Sequence, residues 1–176
     1  GKLLKLKLGG LDDMARIEAV HGARPDAKLI VDGNEGLVPE DFPNIAARAR
    51  ELGVVLIEQP FPADDDRALV SRAYPISVCA DESAHVAADI ETLAKAYDAV
   101  NVKLDKTGGL TEAIKMVRTA ERSGMGIMVG CMVAGSLSMA PAMMLSGLAD
   151  AVDLDGPLWL AKDVVDRLVY EDGLVH

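Results

Sequence analysis

Three acidic residues recur at the ends of short apolar segments: Asp32 in VDGNE, Glu58 in LIEQP and Asp81 in CADES. Any one of them could cap a helix or bond to a loop. Adjacent strands of a sheet lie about 4.8 Å apart, however, so carboxylates at three successive strand ends can converge on one hard cation, with water completing an octahedron. Without a cation they would repel one another. The pattern therefore predicts a divalent-metal site.

Lysines flank this acidic trio on both sides in the sequence. Lys5 and Lys7 alternate along one apolar segment and so point to the same side, although alternating lysines also occur on exposed edge strands. Lys103 follows a later segment, and its neighbour Lys106 carries the same charge, so the pattern does not choose between them. A lysine acts as a base only when its pKa is lowered by another ammonium group, by burial or by a metal.

These groups are suited to moving a proton on and off carbon. Two lysines on opposite faces of a metal-bound carboxylate could remove its α-proton from one side and return it from the other. The metal would stabilise the enediolate that forms between the two steps. The combination predicts an acid/base enzyme that acts next to a carboxylate.

Two further pairs of residues are less specific. Asp153 and Asp155, in DLDGP, end the last apolar segment, where they could bind a cationic substrate group or cap the following turn. Cys79 and Cys131 lie in apolar segments without a CxxC or Cys/His spacing, so we interpret them as reduced residues of the core or of a pocket wall.

The segments that carry these residues alternate with stretches of helical periodicity. We predict strands at Leu3–Leu8, Lys28–Val31, Val54–Ile57, Ile76–Ala80, Ala99–Leu104, Gly126–Gly130 and Ala151–Leu154. We predict helices at Leu11–His21, Phe42–Leu52, Leu110–Arg122 and Ser136–Leu148. Such a repeat indicates right-handed βαβ crossovers in a parallel α/β sheet. Because the charges fall at the C-terminal ends of strands, a (β/α)8 TIM-type barrel is favoured over an open doubly wound sheet.

The number of strands bears on the domain organisation. Seven are predicted, whereas this barrel has eight. We expect residues 1–165 to be a barrel domain that lacks its first βα unit, and residues 166–176 to begin a hairpin. The hairpin would turn at Asp172-Gly173 and stop before its partner strand. The sequence is therefore interpreted as part of a longer protein.

Composition excludes several classes of function. Half of the 176 residues are hydrophobic but only 3% are aromatic, so the core must be aliphatic. The net charge is −10 and no basic cluster occurs, which argues against a nucleic-acid partner. No apolar run approaches the roughly 20 residues that span a bilayer, and the start KLLKLKLGG does not resemble a signal peptide. We expect a cytoplasmic protein with no membrane partner.

With these residues in this order, the sequence resembles the enolase superfamily, and within it the muconate-lactonising subgroup. The matching segments are Lys5-Leu6-Lys7, Asp32 with Asn34, Glu58-Gln59-Pro60, Asp81-Glu82-Ser83, and Asn101-Val102-Lys103 before Thr107-Gly108-Gly109. The resemblance implies a modified enolase-type barrel with Mg²⁺, or alternatively Mn²⁺, at Asp32, Glu58 and Asp81. It implies Lys7 and Lys103, rather than Lys106, as the acid/base pair.

The resemblance also implies roles for the surrounding residues. Lys5 would tune Lys7 or contact the substrate carboxylate. The residues that would support the site or line its pocket are Asn34, Gln59, Asn101 and Cys131.

The last strand resembles that of dipeptide epimerases, whose Asp-x-Asp binds the substrate α-ammonium group. Asp153 and Asp155 would then be substrate-binding, and the expected function is metal-dependent epimerisation of a dipeptide, of the L-Ala-D/L-Glu type or a close variant. The alternatives are an N-succinylamino acid racemase or o-succinylbenzoate synthase, and a catalytically inactive barrel used for binding. Many dipeptide epimerases carry a glutamate where this sequence has Ala134. We expect a dipeptide as the small-molecule partner, a homo-oligomer, and an N-terminal capping domain outside this sequence.

Overall fold

The computed structural model describes residues 2–10, 12–70 and 73–175. The strands are β1 (Leu3–Lys7), β2 (Lys28–Asp32), β3 (Val54–Glu58), β4 (Ser77–Ala80), β5 (Ala99–Val102), β6 (Gly126–Val129), β7 (Ala151–Val152), β8 (Tyr170–Glu171) and β9 (Leu174–Val175). The helices are α1 (Asp13–Ala23), α2 (Phe42–Glu51), α3 (Ile90–Leu93), α4 (Leu104–Thr107), α5 (Leu110–Arg122) and α6 (Ser136–Met143). Leu11, in the first predicted helix, lies outside the described residues, as do Gly1 and His176 at the predicted domain limits.

The predicted alternation of strands and helices is confirmed. All seven predicted strands are present, and α5 has the predicted bounds. One boundary differs in a way that matters, because β5 ends at Val102 and not at Leu104. Lys103 is still extended, with φ −119° and ψ 126°, and directly precedes α4. It is therefore held between a strand end and a helix start.

The end of the chain differs from the prediction as well. The expected turn at Asp172-Gly173 is present, and both residues have a positive φ. The expectation that the sequence stops before the partner strand was wrong, because β8 pairs with β9 in an antiparallel hairpin. Each strand is only two residues long, so both fit before the end of the chain.

The chain divides into two compact units. The first consists of Gly1–Ser83 and Lys95–Asp98, and the second of Ala84–Ala94 and Ala99–His176. No helix in the described part of the chain is both long enough and apolar enough to span a bilayer.

The first unit contains β1 to β4, which are joined in parallel in chain order. β2 is buried along nearly its whole length, as expected for a parallel strand covered on both faces. Beside the sheet, α2 buries Phe42, whose ring lies edge-on to Phe61 at 5.1 Å and to Tyr74 at 4.7 Å. These are favourable aromatic geometries, and they anchor the segment that follows Glu58.

The second unit contains β5, β6 and β7, which are also parallel and in chain order. It is covered by α5, which contacts β5 and β6. The buried positions of α5 have the i, i+3, i+4, i+7 spacing of one helix face: Ala113, Met116, Val117 and Ala120. The small alanines allow close packing, and Gly124, with φ +73°, ends the helix segment.

Candidate active site

Strand register brings the charged residues of the first unit side by side. Lys7 pairs with Asp32, and Asp32 pairs with Glu58, so the three residues lie in register on neighbouring strands. Glu58 pairs in turn with Cys79, two positions before Asp81. Side chains at paired positions of parallel strands point to the same face. The carboxyl ends of β1, β2 and β3 therefore present one ammonium group and two carboxylates to the same region.

The Lys5 ammonium group lies between two of the predicted metal ligands. Its Nζ is 3.2 Å from Asp32 Oδ2 and 2.7 Å from Glu58 Oε2. Both carboxylate side chains are buried, with exposures of 1% and 0%, while that of Lys5 is 17%. Charges buried this deeply need opposite charges beside them, and Lys5 supplies one.

Lys7 contacts the same carboxylate from a more open position. Its Nζ lies 3.2 Å from Asp32 Oδ2 and donates to Asn34 Oδ1 at 3.0 Å. The side chain is 70% exposed. The prediction that Lys5 and Lys7 point to the same side is confirmed, because both reach one oxygen atom of Asp32. The exposed ammonium of Lys7 is accessible to a ligand.

Glu58 is the most perturbed acid of the group. Burial raises the pKa of Glu58 to about 7, and the charges of Asp32 and Asp81 add to the rise while the Lys5 ammonium opposes it. Burial is the largest of these causes, so the Glu58 carboxylate is costly to ionise where it lies. A cation beside it would favour the ionised form.

Gly33 allows the segments after β2 and β3 to approach closely. A Cβ atom there would lie 2.8 Å from Pro60 Cα and 2.9 Å from the carbonyl oxygen of Gln59, both backbone atoms. The Gly33 amide donates to the Glu58 carbonyl at 2.7 Å. This contact sets the spacing between the segments that hold Asp32 and Glu58.

Replacement of Gly33 by alanine is expected to lower the free energy of unfolding of the whole protein by about 1–3 kcal/mol, the usual cost of inserting a methyl group into packed surroundings. The measurement is denaturant unfolding. Gly22→Ala, inside α1, is the matched control, because its Cβ would meet no atom within 4 Å and alanine favours a helix. Equal midpoints for the two variants would contradict the close-approach explanation.

Gln59 is buried directly after Glu58, and all of its polar atoms are bonded. Its Oε1 accepts from the amides of Asp81 and Ser83, at 2.8 and 3.2 Å. Its Nε2 lies 2.8 Å from Ser83 Oγ and 2.9 Å from both Tyr97 OH and Phe61 O. The backbone of Gln59 has φ +30°, which is unusual for a residue with a side chain. Several tertiary bonds therefore hold it in place.

The chemistry of this group fits a hard divalent cation. The donors are carboxylate oxygens, which Mg²⁺ prefers, and the ammonium of Lys5 already takes the part of a cation between Asp32 and Glu58. Among residues 2–10, 12–70 and 73–175, no three acidic, histidine or cysteine side chains form a ready metal-ligating cluster. Because Lys5 contacts both Asp32 and Glu58, a bound metal would compete with it for these oxygens.

The second unit contains the other predicted lysine. Lys103 is buried, with 9% exposure, and follows Asn101, which is fully buried at the end of β5. Directly after the next strand, β6, a Cβ at Gly130 would lie 2.6 Å from Asn101 Oδ1. Gly130 therefore makes room for the Asn101 amide. Lys106, the alternative lysine, instead donates to the Asn101 carbonyl at 3.3 Å.

Three predicted residues of the second unit lie within electrostatic range of a fourth, Cys131. Burial raises the pKa of the Cys131 thiol and a backbone hydrogen bond with Gly156 lowers it, while the charges of Asp153 and Asp155 raise it and that of Lys103 lowers it. Such effects require proximity. The structure therefore brings the Lys103 charge and the Asp-x-Asp segment to the surroundings of Cys131.

Asp155 does not act as a helix cap. It precedes a short 3-10 turn at Gly156–Trp159 without a capping side-chain bond. Its Oδ2 instead accepts from the indole Nε1 of Trp159 at 3.2 Å. Because the side chain is exposed, it retains acceptor capacity for a ligand.

Sequence reasoning missed three polar residues next to these groups. Trp159 contacts Asp155, while Tyr97 and Asp66 extend the hydrogen bonds of Gln59. Burial, with a contribution from the Asp66 carboxylate, raises the pKa of the Tyr97 phenol, which keeps its proton. Trp159 follows Asp155 by four residues, a spacing from which a contact between them could have been predicted. Tyr97 and Asp66 had none, because they belong to distant parts of the sequence.

The chain belongs to the Enolase C-terminal domain-like family, whose model matches residues 2–176. This confirms the predicted superfamily and the predicted enolase-type barrel fold class. The chain spans about half the length of the curated relatives it matches.

Two curated relatives illustrate the functions found among similar proteins. The chain is 46% identical to an N-acetyl-D-glutamate racemase of Pseudoalteromonas sp, over 97% of the chain and 54% of the relative. It is 44% identical to an L-Ala-D/L-Glu epimerase of Escherichia coli, over 99% of the chain and 54% of the relative. Both are isomerases that act on amino acid derivatives.

Two solved structures are similar over nearly the whole chain. One is an enolase family member from Agrobacterium tumefaciens with homology to dipeptide epimerases, solved with sodium and L-Ala-L-Glu. It is 50% identical, has a TM-score of 0.96, and is covered over 54% of its length by 99% of this chain. The other is a dipeptide epimerase from Methylococcus capsulatus with Mg and L-Arg-D-Lys. It is 33% identical, has a TM-score of 0.91, and is covered over 52% of its length by 98% of this chain.

Proposed function

We propose that the whole protein of which this chain is part epimerises dipeptides, by removing and returning the α-proton next to a metal-bound carboxylate. The observation that carries the proposal is the row of Lys7, Asp32 and Glu58 at paired positions of β1, β2 and β3. Relatives and solved structures described as dipeptide epimerases support it.

The proposed cofactor is Mg²⁺, held by Asp32, Glu58 and Asp81. When bound, it would neutralise the substrate carboxylate and lower the free energy of the enolate-like charge that develops on it. Asp32 and Glu58 are buried and already bind a cationic group, Lys5, which supports their assignment. Mn²⁺ is a proposed substitute, because it takes the same hard oxygen ligands.

Lys7 and Lys103 are the proposed proton-transfer residues. Lys7 is exposed and oriented by Asp32 and Asn34, so its amine is available at the strand end. Lys103 is buried and held between β5 and α4, where its amine has few alternative positions. Each lysine would hold or release one proton at Nζ. Lys5, beside Asp32 and Glu58, would neutralise their charge or contact the substrate carboxylate.

Asp153 and Asp155 are proposed to bind the α-ammonium group of the dipeptide. Both charges act on the half-buried thiol of Cys131, which supports a shared role for the two carboxylates. Two carboxylates favour a cationic ligand over a neutral amide. An N-terminal ammonium group is the cation that every free dipeptide offers.

The second candidate is racemisation of an N-acylated amino acid. The relative named N-acetyl-D-glutamate racemase favours it. Its substrate has the same reacting carbon and carboxylate as a dipeptide that ends in glutamate, but it has no ammonium group. The paired carboxylates of Asp153 and Asp155 favour the dipeptide.

The Asp155→Asn variant is expected to reduce kcat/KM for L-Ala-L-Glu by roughly 30-fold to several thousand-fold. The Asp155 side chain is exposed in the described chain, and a bound dipeptide would cover it. Loss of one partner of such a covered, charge-assisted contact would cost about 2–5 kcal/mol, at about 1.4 kcal/mol per tenfold change in rate. The rate for N-acetylglutamate should change far less. The measurement compares both substrates with the whole protein and records the melting temperature.

The control for this comparison is Asp150→Asn, because Asp150 is an acid of the same unit whose Oδ2 accepts from the Ile127 amide. A structural effect would lower stability and both activities together, as expected for the control. Equal losses on both substrates with Asp155→Asn would favour the N-acylamino acid reaction.

We further propose that the protein acts in the cytoplasm as a homo-oligomer. The two cysteines, both in the described part of the chain, are not joined in a disulfide, which is typical of reducing compartments.

A further inference from the structure

A cluster of four side chains in the first unit, here called the Gln59 network, consists of Gln59, Ser83, Tyr97 and Asp66. Gln59 is fully buried and Tyr97 is 4% exposed. Buried polar groups are costly unless they are bonded. The network is therefore held together by its own hydrogen bonds.

Hydrogen-bond donors fix the orientation of the Gln59 amide. The backbone amides of Asp81 and Ser83 can only donate, so Oε1 must face them. The two hydrogens of Nε2 then point towards three acceptors, which are Phe61 O, Ser83 Oγ and Tyr97 OH. Phe61 O can only accept, so the second hydrogen is shared between the two hydroxyl groups.

Asp66 sets the direction of those hydroxyl groups. Its Oδ2 lies 2.9 Å from Tyr97 OH and 3.2 Å from Ser83 Oγ. A carboxylate can only accept, so both hydroxyls donate to Asp66 and turn a lone pair towards Gln59. Asp66 and Tyr97 thus supply an acceptor that holds the Nε2 side of the oriented Gln59 amide in place.

The consequence reaches two of the proposed metal ligands. Gln59 directly follows Glu58, and its Oε1 holds the backbone amide of Asp81 at 2.8 Å. Asp81 directly follows the end of β4, and the Gln59 side chain is one of the groups that hold its backbone. One amide therefore links the backbone next to Glu58 with the backbone of Asp81.

We propose that Tyr97, together with Asp66, is a positioning residue that holds the Gln59 side chain in place and so holds Asp81 for metal binding. The inference rests on the proposed function, because it takes Glu58 and Asp81 as metal ligands. Groups that orient metal ligands commonly change metal affinity by about 10- to 100-fold when they are replaced.

The test is Mg²⁺ binding to the whole protein, measured by calorimetry without substrate. Tyr97→Phe removes only the hydroxyl and is expected to weaken Mg²⁺ binding by about tenfold. The matched control is Tyr74→Phe, which removes a hydroxyl that donates to the Ala68 carbonyl at 3.2 Å. This control should bind Mg²⁺ as the native protein does, even where both variants lose a similar amount of melting temperature.

Asp66 offers a rescue comparison. Asp66→Asn keeps an acceptor for the Tyr97 hydroxyl and should bind Mg²⁺ more tightly than Asp66→Ala. Ser83→Ala, which removes the other hydroxyl of the network, decides the question where Tyr97→Phe does not fold, and it is expected to weaken binding in the same direction.

Native affinity in Tyr97→Phe, or equal losses in Tyr97→Phe and Tyr74→Phe, would overturn the positioning role while leaving the proposed function intact. A native protein that binds no Mg²⁺ would overturn the proposed function, and the positioning role with it.

Discussion

Excess chelator is expected to reduce epimerisation by the whole protein by at least about a thousandfold, and added Mg²⁺ should restore it. A bound metal contributes several kcal/mol to stabilising charge next to a carboxylate, and about 1.4 kcal/mol corresponds to a factor of ten in rate. Asp32→Asn and Glu58→Gln should cause losses of similar size, because each removes a negative charge from the buried group around Lys5.

The control for the metal prediction is Glu18→Gln. Glu18 pairs with Arg48 at 2.8 Å, and both side chains are about half exposed, so this acid belongs to an ordinary surface ion pair of small energetic value. Its replacement should leave the activity and the chelator response unchanged. Full turnover of the native protein in excess chelator would contradict the metal site.

Replacement of Lys103 by alanine is expected to stop interconversion of the two isomers while proton exchange continues with one of them. In D₂O, the remaining base, Lys7, should continue to exchange the α-proton for deuterium, but in one stereoisomer only. A positioned acid/base residue contributes about 10²- to 10⁴-fold, so epimerisation should fall by that factor. Lys7→Ala should show the opposite stereoisomer preference. Mass spectrometry of both isomers measures the exchange.

Lys106→Ala is the internal control for this experiment. Lys106 is the same type of residue three positions along, but its Nζ bonds to a backbone carbonyl. The Lys106→Ala protein should therefore exchange the α-proton of both isomers at nearly the native rate. A Lys103→Ala protein that interconverts both isomers at the native rate would contradict the assignment of Lys103 as a base and make Lys106 the better candidate.

The strand and helix pattern could be predicted because its signal is local. The apolar residues of α5 repeat at helical spacing, and the β2 segment is continuously apolar. The burial of each element can therefore be predicted from its own residues, without knowing which elements pack against it. The ends of those elements were less certain. The apolar segment that contains β5 continues to Leu104, but the chain turns into α4 after Lys103, because hydrophobicity alone does not distinguish the end of a strand from the start of a helix.

The members of the candidate site were also readable from the sequence, but their pairing was not. Carboxylates at successive strand ends predict convergence, since parallel strands align their C-terminal ends. The sequence did not show that Lys5, rather than Lys7, would bridge Asp32 and Glu58. That outcome depends on strand register and on the reach of a flexible side chain.

The sequence by itself determined the order of strands and helices, the family, and the acids and lysines at the strand ends. Only the tertiary structure decided how those residues are supported. Gln59 meets Tyr97, 38 residues away, and Tyr97 meets Asp66, 31 residues away. Hydrophobic periodicity repeats along the chain, so one sequence is enough to detect it. A buried hydrogen bond joins two individual residues that are far apart in the sequence, and no repeating pattern marks them as partners.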